Sequence, residues 1–235
     1  VGSFYAYSQQ QENFNWLILA FSLLTTLGLQ VLSNFANDYG DGIKGTDNEH
    51  RIGPQRAIQS GAITVDAMKK GIILTSILSL ASAVILIYLA FGKENFAYSV
   101  FFFILGLGAI AAAIKYTVGS SAYGYRGLGD IFVFVFFGLV SVLGCYFLYT
   151  KQIDNLLILP AIAIGLLSVA VLNLNNMRDQ LSDAMSGKNT MVVKMGAQKA
   201  KIYHYMLIIS ALVLTLVFAI LQKFEIIQYL FMIAY

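Results

Sequence analysis

Six stretches of this 235-residue chain contain no Asp, Glu, Lys or Arg: 13–37, 71–92, 95–114, 131–150, 155–177 and 202–222. Each reaches or exceeds the roughly 18–20 residues that a helix needs to cross a bilayer. Composition agrees: 58% of residues are hydrophobic, 11% are charged, and mean hydropathy is +0.73. A soluble domain carries about 25% charged residues. The expected fold class is all-α, a multi-pass transmembrane helical bundle. Residues 1–11 and 226–235 are also free of charge but too short to span, and read as parts of larger helices. The expectation is six whole spans and two partial ones, in a single transmembrane domain over 1–235 that looks truncated at both ends. No basic n-region of a cleavable signal peptide is visible at the start. The single cysteine, Cys145, lies mid-span and leaves no internal disulfide to form.

Orientation follows from the basic residues. When the spans alternate, the loops 38–70, 115–130 and 178–201 share one side. That side carries 12 Lys and Arg, against 3 on the other (Lys93, Lys151 and Lys223). By the positive-inside rule it faces the cytoplasm. The cytoplasmic connections are also the long ones, where special chemistry is usually found. In the first of them, Thr64-Val-Asp66 reads as the N-cap and first turn of the next span.

Both acidic clusters fall on that side. The first is Asn34-Phe-Ala-Asn37-Asp38-Tyr-Gly-Asp41, with Asp47 following; the second is Asn175-Asn176-Met-Arg178-Asp179-Gln-Leu-Ser-Asp183. Carboxylates at the mouth of apolar segments are costly and commonly functional. Asn175, Asp179 and Asp183 are spaced i, i+4, i+8, and Asn34 and Asp38 are spaced i, i+4. On a helix such spacing stacks side chains along one face. Two such faces turned together would make an oxygen-rich cage of the kind Mg²⁺ prefers, with phosphate as its usual companion. The plainer alternative is helix capping and solvated loop starts. The pattern of apolar helix, Asn-x-x-x-Asp and polar loop occurs at 17–47 and 156–190, offset by 141 residues, as a weak internal repeat.

Cations accompany the acids: Lys44, Arg51, Arg56, Lys115, Arg178 and Lys188. Mg²⁺ with Arg and Lys is a common means of stabilising a departing diphosphate. Loop bias alone accounts for Lys69, Lys70, Lys199 and Lys201, whereas Arg56 and Lys188 sit inside the Gly-rich and acid-flanked segments. Between two spans runs Lys115-Tyr116-Thr117 through Tyr123-Gly-Tyr125-Arg126-Gly-Leu-Gly129-Asp130. Its tyrosines could border a cation or an aromatic acceptor, or could be the usual interfacial belt. The Phe-rich middle (Phe101–Phe103, Phe132, Phe134, Phe136, Phe137) faces lipid or core, or lines a tunnel for a lipid tail. His50 and His204 are isolated and suggest no metal triad.

The two Asp motifs resemble those of the UbiA superfamily of intramembrane prenyltransferases. The longer strings Asn37-Asp38-Tyr39-Gly40-Asp41-Gly-Ile-Lys44-Gly45-Thr46-Asp47, Arg51-Ile-Gly53-Pro54-Gln-Arg56 and Gly187-Lys188-Asn189-Thr190 resemble the branch acting on 1,4-dihydroxy-2-naphthoate in menaquinone synthesis. The match covers nearly the whole chain. It implies a nine-helix bundle with cytoplasmic loops capping a central cavity, of which this chain would lack part of the first helix and everything after the start of the eighth. It further implies a Mg²⁺-dependent transfer of a polyprenyl group from a polyprenyl diphosphate to 1,4-dihydroxy-2-naphthoate, giving demethylmenaquinone at the inner membrane. On that resemblance Asp38, Asp41, Asp47, Asp179 and Asp183 hold the metal. Asn34 and Asn175 orient ligands, and Lys188 and Arg56, with Lys44, Arg51 and Lys115, hold the diphosphate. Tyr116 and Tyr123 line the substrate, and Asp130 helps deprotonate the acceptor. The resemblance departs at Ala122, where Pro is expected, and at the i+3 spacing of Asp41 from Asp38, which suits this branch.

Three rival readings stand beside it. Another aromatic acceptor such as 4-hydroxybenzoate would suit the same scaffold. The start Asp38-Tyr-Gly-Asp41-Gly42 fits CDP-alcohol phosphotransferases, but the continuation Ile43-Lys44-Gly45-Thr46 does not. A cation transporter would place its acids near the bilayer midplane, whereas these lie at span ends.

Overall fold

The computed structural model describes residues 1–47 and 52–234, with side chains through residue 230. Arg51 and His50 lie outside the described residues. Helix dominates because a segment surrounded by lipid must satisfy its peptide groups internally. Among the described residues, six helical segments are long and apolar enough to cross a membrane: α2 (Trp16–Ile43), α3 (Val65–Phe91), α4 (Phe96–Lys115), α5 (Gly129–Thr150), α6 (Asn155–Arg178) and α9 (Ala197–Leu221). They match the six charge-free stretches. Three short helices accompany them: α1 (Gly2–Gln9), α7 (Gln180–Met185) and α8 (Met191–Met195). Residues Ile226–Ala234 form 3₁₀ turns. Among the described residues there is no β-strand.

The helix starts use the expected chemistry. Asn15 accepts from the Leu17 N–H at 3.0 Å to open α2, and Thr64 accepts from Ala67 N–H at 3.2 Å to open α3, with Asp66 in its first turn. The spanning windows are only 6–39% buried within the chain. Their outer surfaces are therefore left to lipid, as Leu27, Ile77 and Phe101 illustrate at about 60% exposure each.

The chain divides into two compact units. One comprises Val1–Phe14, Asp130–Met177 and Met195–Tyr235. In it Val169, Ala170 and Leu207 form a core with Val133, Phe134, Leu166, Tyr203 and Ile208. The middle of α5, Phe134–Gly144, is wound as a π-helix, a widening more often seen as a single turn. It meets α6 at Gly138 and Gly165: a Cβ on Gly138 would stand 2.5 Å from the Gly165 Cα, so only glycine permits this approach.

The second unit comprises Asn15–Gly129 and Arg178–Lys194. Its core is Leu32, Ala36 and Ile72, packed by Leu29, Phe35, Tyr39, Ile110, Ala113, Ile114 and Val118 from α2, α3 and the α4 end. In mid-span, Thr25 and Ser82 hydroxyls bond at 2.8 Å across the α2–α3 pair. Gly40 lets α2 approach the turn after α4, since a Cβ there would lie 2.5 Å from Thr117 Oγ1 and 2.8 Å from its carbonyl carbon.

Two local details depart from the sequence expectation. Asp38 and Asp41 sit on the last turns of α2, which runs on to Ile43 rather than ending ahead of the cluster. The second cluster does not lie on one continuous helix. Helix α6 stops at Arg178, and Asp179 (φ −95°, ψ 10°) precedes the separate α7. Local side-chain bonds compete with the helix there: Arg178 grips the Asp179 carboxylate at 2.8 and 2.6 Å, and Ser182 Oγ donates to Asp179 O at 3.0 Å. Asp183 N still donates to Asp179 O at 2.9 Å, so the spacing survives as one turn only.

Candidate active site

The second unit brings the end of α2, the turn after α4 and the α7 segment together. At its centre Asp41, 2% exposed, receives three groups. Tyr125 Oη donates to Asp41 Oδ1 at 2.8 Å, Lys188 Nζ donates to Oδ2 at 3.1 Å, and Arg56 Nη2 stands 4.0 Å from Oδ2. Lys188 Nζ also lies 3.7 Å from Asp183 Oδ1, so one ammonium group joins carboxylates from both sequence clusters. Asp183 and Lys188 are themselves 3% and 8% exposed. Buried carboxylates require such partners, because an unpaired charge removed from water is strongly disfavoured.

Each of these side chains is held by local backbone. Lys188 N donates to Asp183 O at 2.8 Å, with Gly187 at φ 74° making the turn. Asn189 N then donates to Tyr125 O at 3.1 Å, tying the second acidic segment to the tyrosine turn. That turn is a 3₁₀ helix over Tyr123–Arg126, closed by Gly127 at φ 78°. Gly127 also gives access to Lys194, whose Nζ donates to Arg126 O at 2.6 Å.

Asp38 serves the loop after α2. Its carboxylate accepts from Ala57 N–H at 3.1 Å and Ile58 N–H at 3.4 Å. This orients the turn that carries Arg56, whose Nε lies 3.2 Å from Asp47 Oδ2. Lys44 Nζ donates to Thr117 O at 2.7 Å and sits 3.8 Å above the Tyr125 ring centroid, a cation–π contact. Lys188 Nζ lies 5.5 Å from the same centroid.

Two residues outside the sequence-derived set are central. Tyr125 touches Asp41, Lys44 and Thr46, the last at 2.5 Å between hydroxyls. Thr117, fully buried, donates to Ala36 O at 2.8 Å and fixes the end of α2 against the turn. No spacing rule marks them, although both fall in the Lys115–Asp130 segment. Tyr116 and Tyr123 pack edge to face at 5.3 Å, and Tyr123 Oη donates to Ala112 O at 2.8 Å. Lys115 and Asn34 are exposed. Asp130 and Asn175 belong to the other unit, where Tyr203 Oη donates to Asp130 Oδ2 at 2.9 Å and Asn175 is exposed.

The electrostatics follow from burial. The Asp183 carboxyl is pushed up to about 6 by burial, against the pull of Lys188 and with further upward pressure from Asp41 and Asp179. Burial and the Asp41 charge raise the Tyr125 phenol, which keeps it a proton donor to Asp41. Burial lowers the Lys44 ammonium, opposed by Asp41 and aided by Lys188.

The donor chemistry of this site, hard carboxylate oxygens near the ends of apolar helices, fits a Mg²⁺ ion. Among the described residues, however, no three Asp, Glu, His or Cys side chains converge closely enough to hold one. What stands between Asp41 and Asp183 is the Lys188 ammonium group.

A membrane-embedded helical chain with paired acidic segments and cations at span ends has the features of an intramembrane prenyltransferase. The chain belongs to the UbiA prenyltransferase family, which it matches over residues 1–235. It is 51% identical over 233 residues to the 1,4-dihydroxy-2-naphthoate octaprenyltransferase of Haemophilus influenzae, covering 99% of this chain and 75% of that one. It is 46% identical over 224 residues to the enzyme of that name from Escherichia coli, covering 95% and 72%. A more distant relative is the UbiA prenyltransferase domain-containing protein 1 of Mus musculus, 28% identical over 221 residues, covering 92% of this chain and 62% of that one. No solved structure matches.

Proposed function

We propose that this chain, as a single transmembrane prenyltransferase domain, transfers a polyprenyl group from an allylic polyprenyl diphosphate to 1,4-dihydroxy-2-naphthoate. Carbon dioxide and diphosphate are released, and the product is the prenylated naphthoquinol, the reduced form of demethylmenaquinone. The observation that carries this reading is the identity of 51% and 46% to two relatives named for that reaction. The cation-rich acidic site supports it from the side of chemistry. The membrane is the bacterial inner membrane, and the 12-to-3 basic asymmetry favours a cytoplasmic position for both Asp segments.

In this reading Asp38, Asp41, Asp179 and Asp183, with Asp47, supply oxygen ligands to Mg²⁺. When bound, the ion would neutralise charge on the diphosphate as the allylic C–O bond loosens. Lys188 and Arg56 hold the leaving diphosphate, and Lys44 adds positive charge from above the Tyr125 ring. Asp38 keeps Arg56 in place through the Ala57 and Ile58 amides. The apolar surroundings exclude water from the allylic cation, which the electron-rich acceptor ring then attacks. Lys115, Tyr116 and Tyr123 border the substrates, with Asn34 and Asn175 as orienting groups. Asp130, paired with Tyr203, is the candidate base for the acceptor.

The test is incubation of membranes containing the full chain with a radiolabelled polyprenyl diphosphate and several aromatic acids. Label should enter 1,4-dihydroxy-2-naphthoate with release of carbon dioxide. Preferential labelling of 4-hydroxybenzoate would assign another acceptor, and no labelling of any acid would overturn the reading.

A further inference from the structure

We propose that Lys188 is a tethered counter-ion that competes with a divalent cation for Asp41 and Asp183, so that the metal and the diphosphate bind weakly apart and strongly together. This rests on the metal–diphosphate reading of the site and goes beyond it. Lys188 is there not only as a diphosphate ligand but as the cation that holds the acidic site together before substrate arrives.

Geometry carries the argument. The ammonium group reaches Asp41 Oδ2 at 3.1 Å and Asp183 Oδ1 at 3.7 Å. All three residues are more than nine-tenths buried. Two carboxylates in such a place repel one another and cannot be left unpaired without cost. The neighbouring cations do not fill this role. Arg56 is directed to Asp47 at 3.2 Å and only approaches Asp41 at 4.0 Å. Lys44 directs its ammonium group to Thr117 O and the Tyr125 ring.

Lys188 is also held where it stands. Its own N–H bonds Asp183 O, and the next residue bonds Tyr125 O, so the ammonium group is presented by backbone fixed at both neighbours. A divalent ion that takes both carboxylates must therefore displace the ammonium group. A buried ammonium group with no new partner resists that displacement. Diphosphate oxygens provide the new partner. They accept from Lys188 Nζ on the same ionic terms as the carboxylates did, which frees Asp41 and Asp183 for the metal. The two ligands are then positively coupled, and by linkage each raises the affinity of the other by the same factor.

The experiment titrates Mn²⁺ into the detergent-solubilised full chain without diphosphate, reading free Mn²⁺ by electron paramagnetic resonance. Lys188→Gln should bind Mn²⁺ about 10²-fold more tightly than the unsubstituted chain, because a competing unit charge has gone. Lys188→Arg should stay near the unsubstituted value. Equal affinity in Lys188→Gln and the unsubstituted chain overturns the competition. A second measurement stands even if Lys188→Gln fails to fold. Millimolar MgCl₂ alone should raise the unfolding temperature of the unsubstituted chain by less than about 2 °C; a rise of about 10 °C would mean that the carboxylates are open to metal, and overturns it as well. If the unsubstituted chain takes up no Mn²⁺ even with pyrophosphate present, the metal–diphosphate reading itself fails and the competition with it. Mn²⁺ uptake that is equal with and without Lys188 removes only the competition.

Discussion

Removing one oxygen atom from Tyr125 tests the site at its centre. Tyr125→Phe deletes the hydroxyl that donates to Asp41 Oδ1 at 2.8 Å and meets Thr46 Oγ1 at 2.5 Å, while leaving the ring under Lys44. A hydrogen bond to a charged group contributes about 1.5–3 kcal/mol. Asp41 keeps Lys188 at 3.1 Å, so the expected loss of stability is at the lower end, about 1.5–2 kcal/mol. The kinetic loss should be larger than that stability change implies, because Asp41 must hold one orientation to serve as a ligand. We expect kcat/KM to fall about 10- to 100-fold, with a rise in the Mg²⁺ concentration for half-maximal rate. The control is Tyr5→Phe. It removes a phenol that donates to Asp154 Oδ2 at 2.7 Å in the other unit. It should cost comparable stability and leave the Mg²⁺ requirement unchanged. Thermal unfolding in detergent and steady-state rates over a Mg²⁺ series measure both. If Tyr125→Phe kept kcat/KM within twofold and the same Mg²⁺ requirement, the claim that Tyr125 positions Asp41 would be wrong.

Four further outcomes are expected. Asp38→Ala and Asp179→Ala should each abolish prenyl transfer by a folded protein, and near-normal turnover at saturating Mg²⁺ would sink the assignment of these carboxylates. Gly40→Ala should destabilise the second unit by about 1–3 kcal/mol, because its Cβ would meet Thr117 at 2.5–2.8 Å; unaltered thermal unfolding would contradict that packing. Asp183 stands at about 6 in the fold against 3.8 ordinarily, so the folded state binds the extra proton between those values. Stability of the chain in EDTA should therefore fall as pH rises from about 4 to about 6 and stay level above, by on the order of 2–3 kcal/mol, and Asp183→Asn should remove the slope. Ala184→Cys in a Cys145→Ala background should react with an impermeant thiol reagent only from the cytoplasmic side; labelling from outside intact cells would reverse the topology.

The spans were legible because the signal is one of exclusion. A charge in the hydrocarbon core is so disfavoured that the six uncharged stretches mark six helices to within a few residues at most ends. The cap at Thr64 was legible for a similar reason, since few residue types can satisfy the first amides of a helix. The ends of the helices carrying the acids were not. Charge patterning places Asp38 where lipid stops, but helical hydrogen bonding does not stop there, and α2 continues to Ile43. The break at Asp179 depends on Arg178 folding back on its neighbour, a bond between adjacent residues that no periodicity reveals.

The same distinction separates the legible from the hidden parts of the site. Acids and cations announce themselves in an apolar chain, so Asp41, Asp183, Arg56 and Lys188 could be singled out by type alone. Their pairing could not, because it joins positions 147 residues apart through a turn set by Gly187 and a backbone bond to Tyr125. Tyr125 was hidden for a further reason: tyrosine is the expected residue at a membrane interface whether or not it does anything else. Its role rests on a hydroxyl directed at a buried carboxylate rather than toward water. A membrane-edge site of this kind has to neutralise its own acids before any ligand arrives, since neither lipid nor bulk water will do so. The buried cation between them is accordingly as much a part of the acidic site as the carboxylates are.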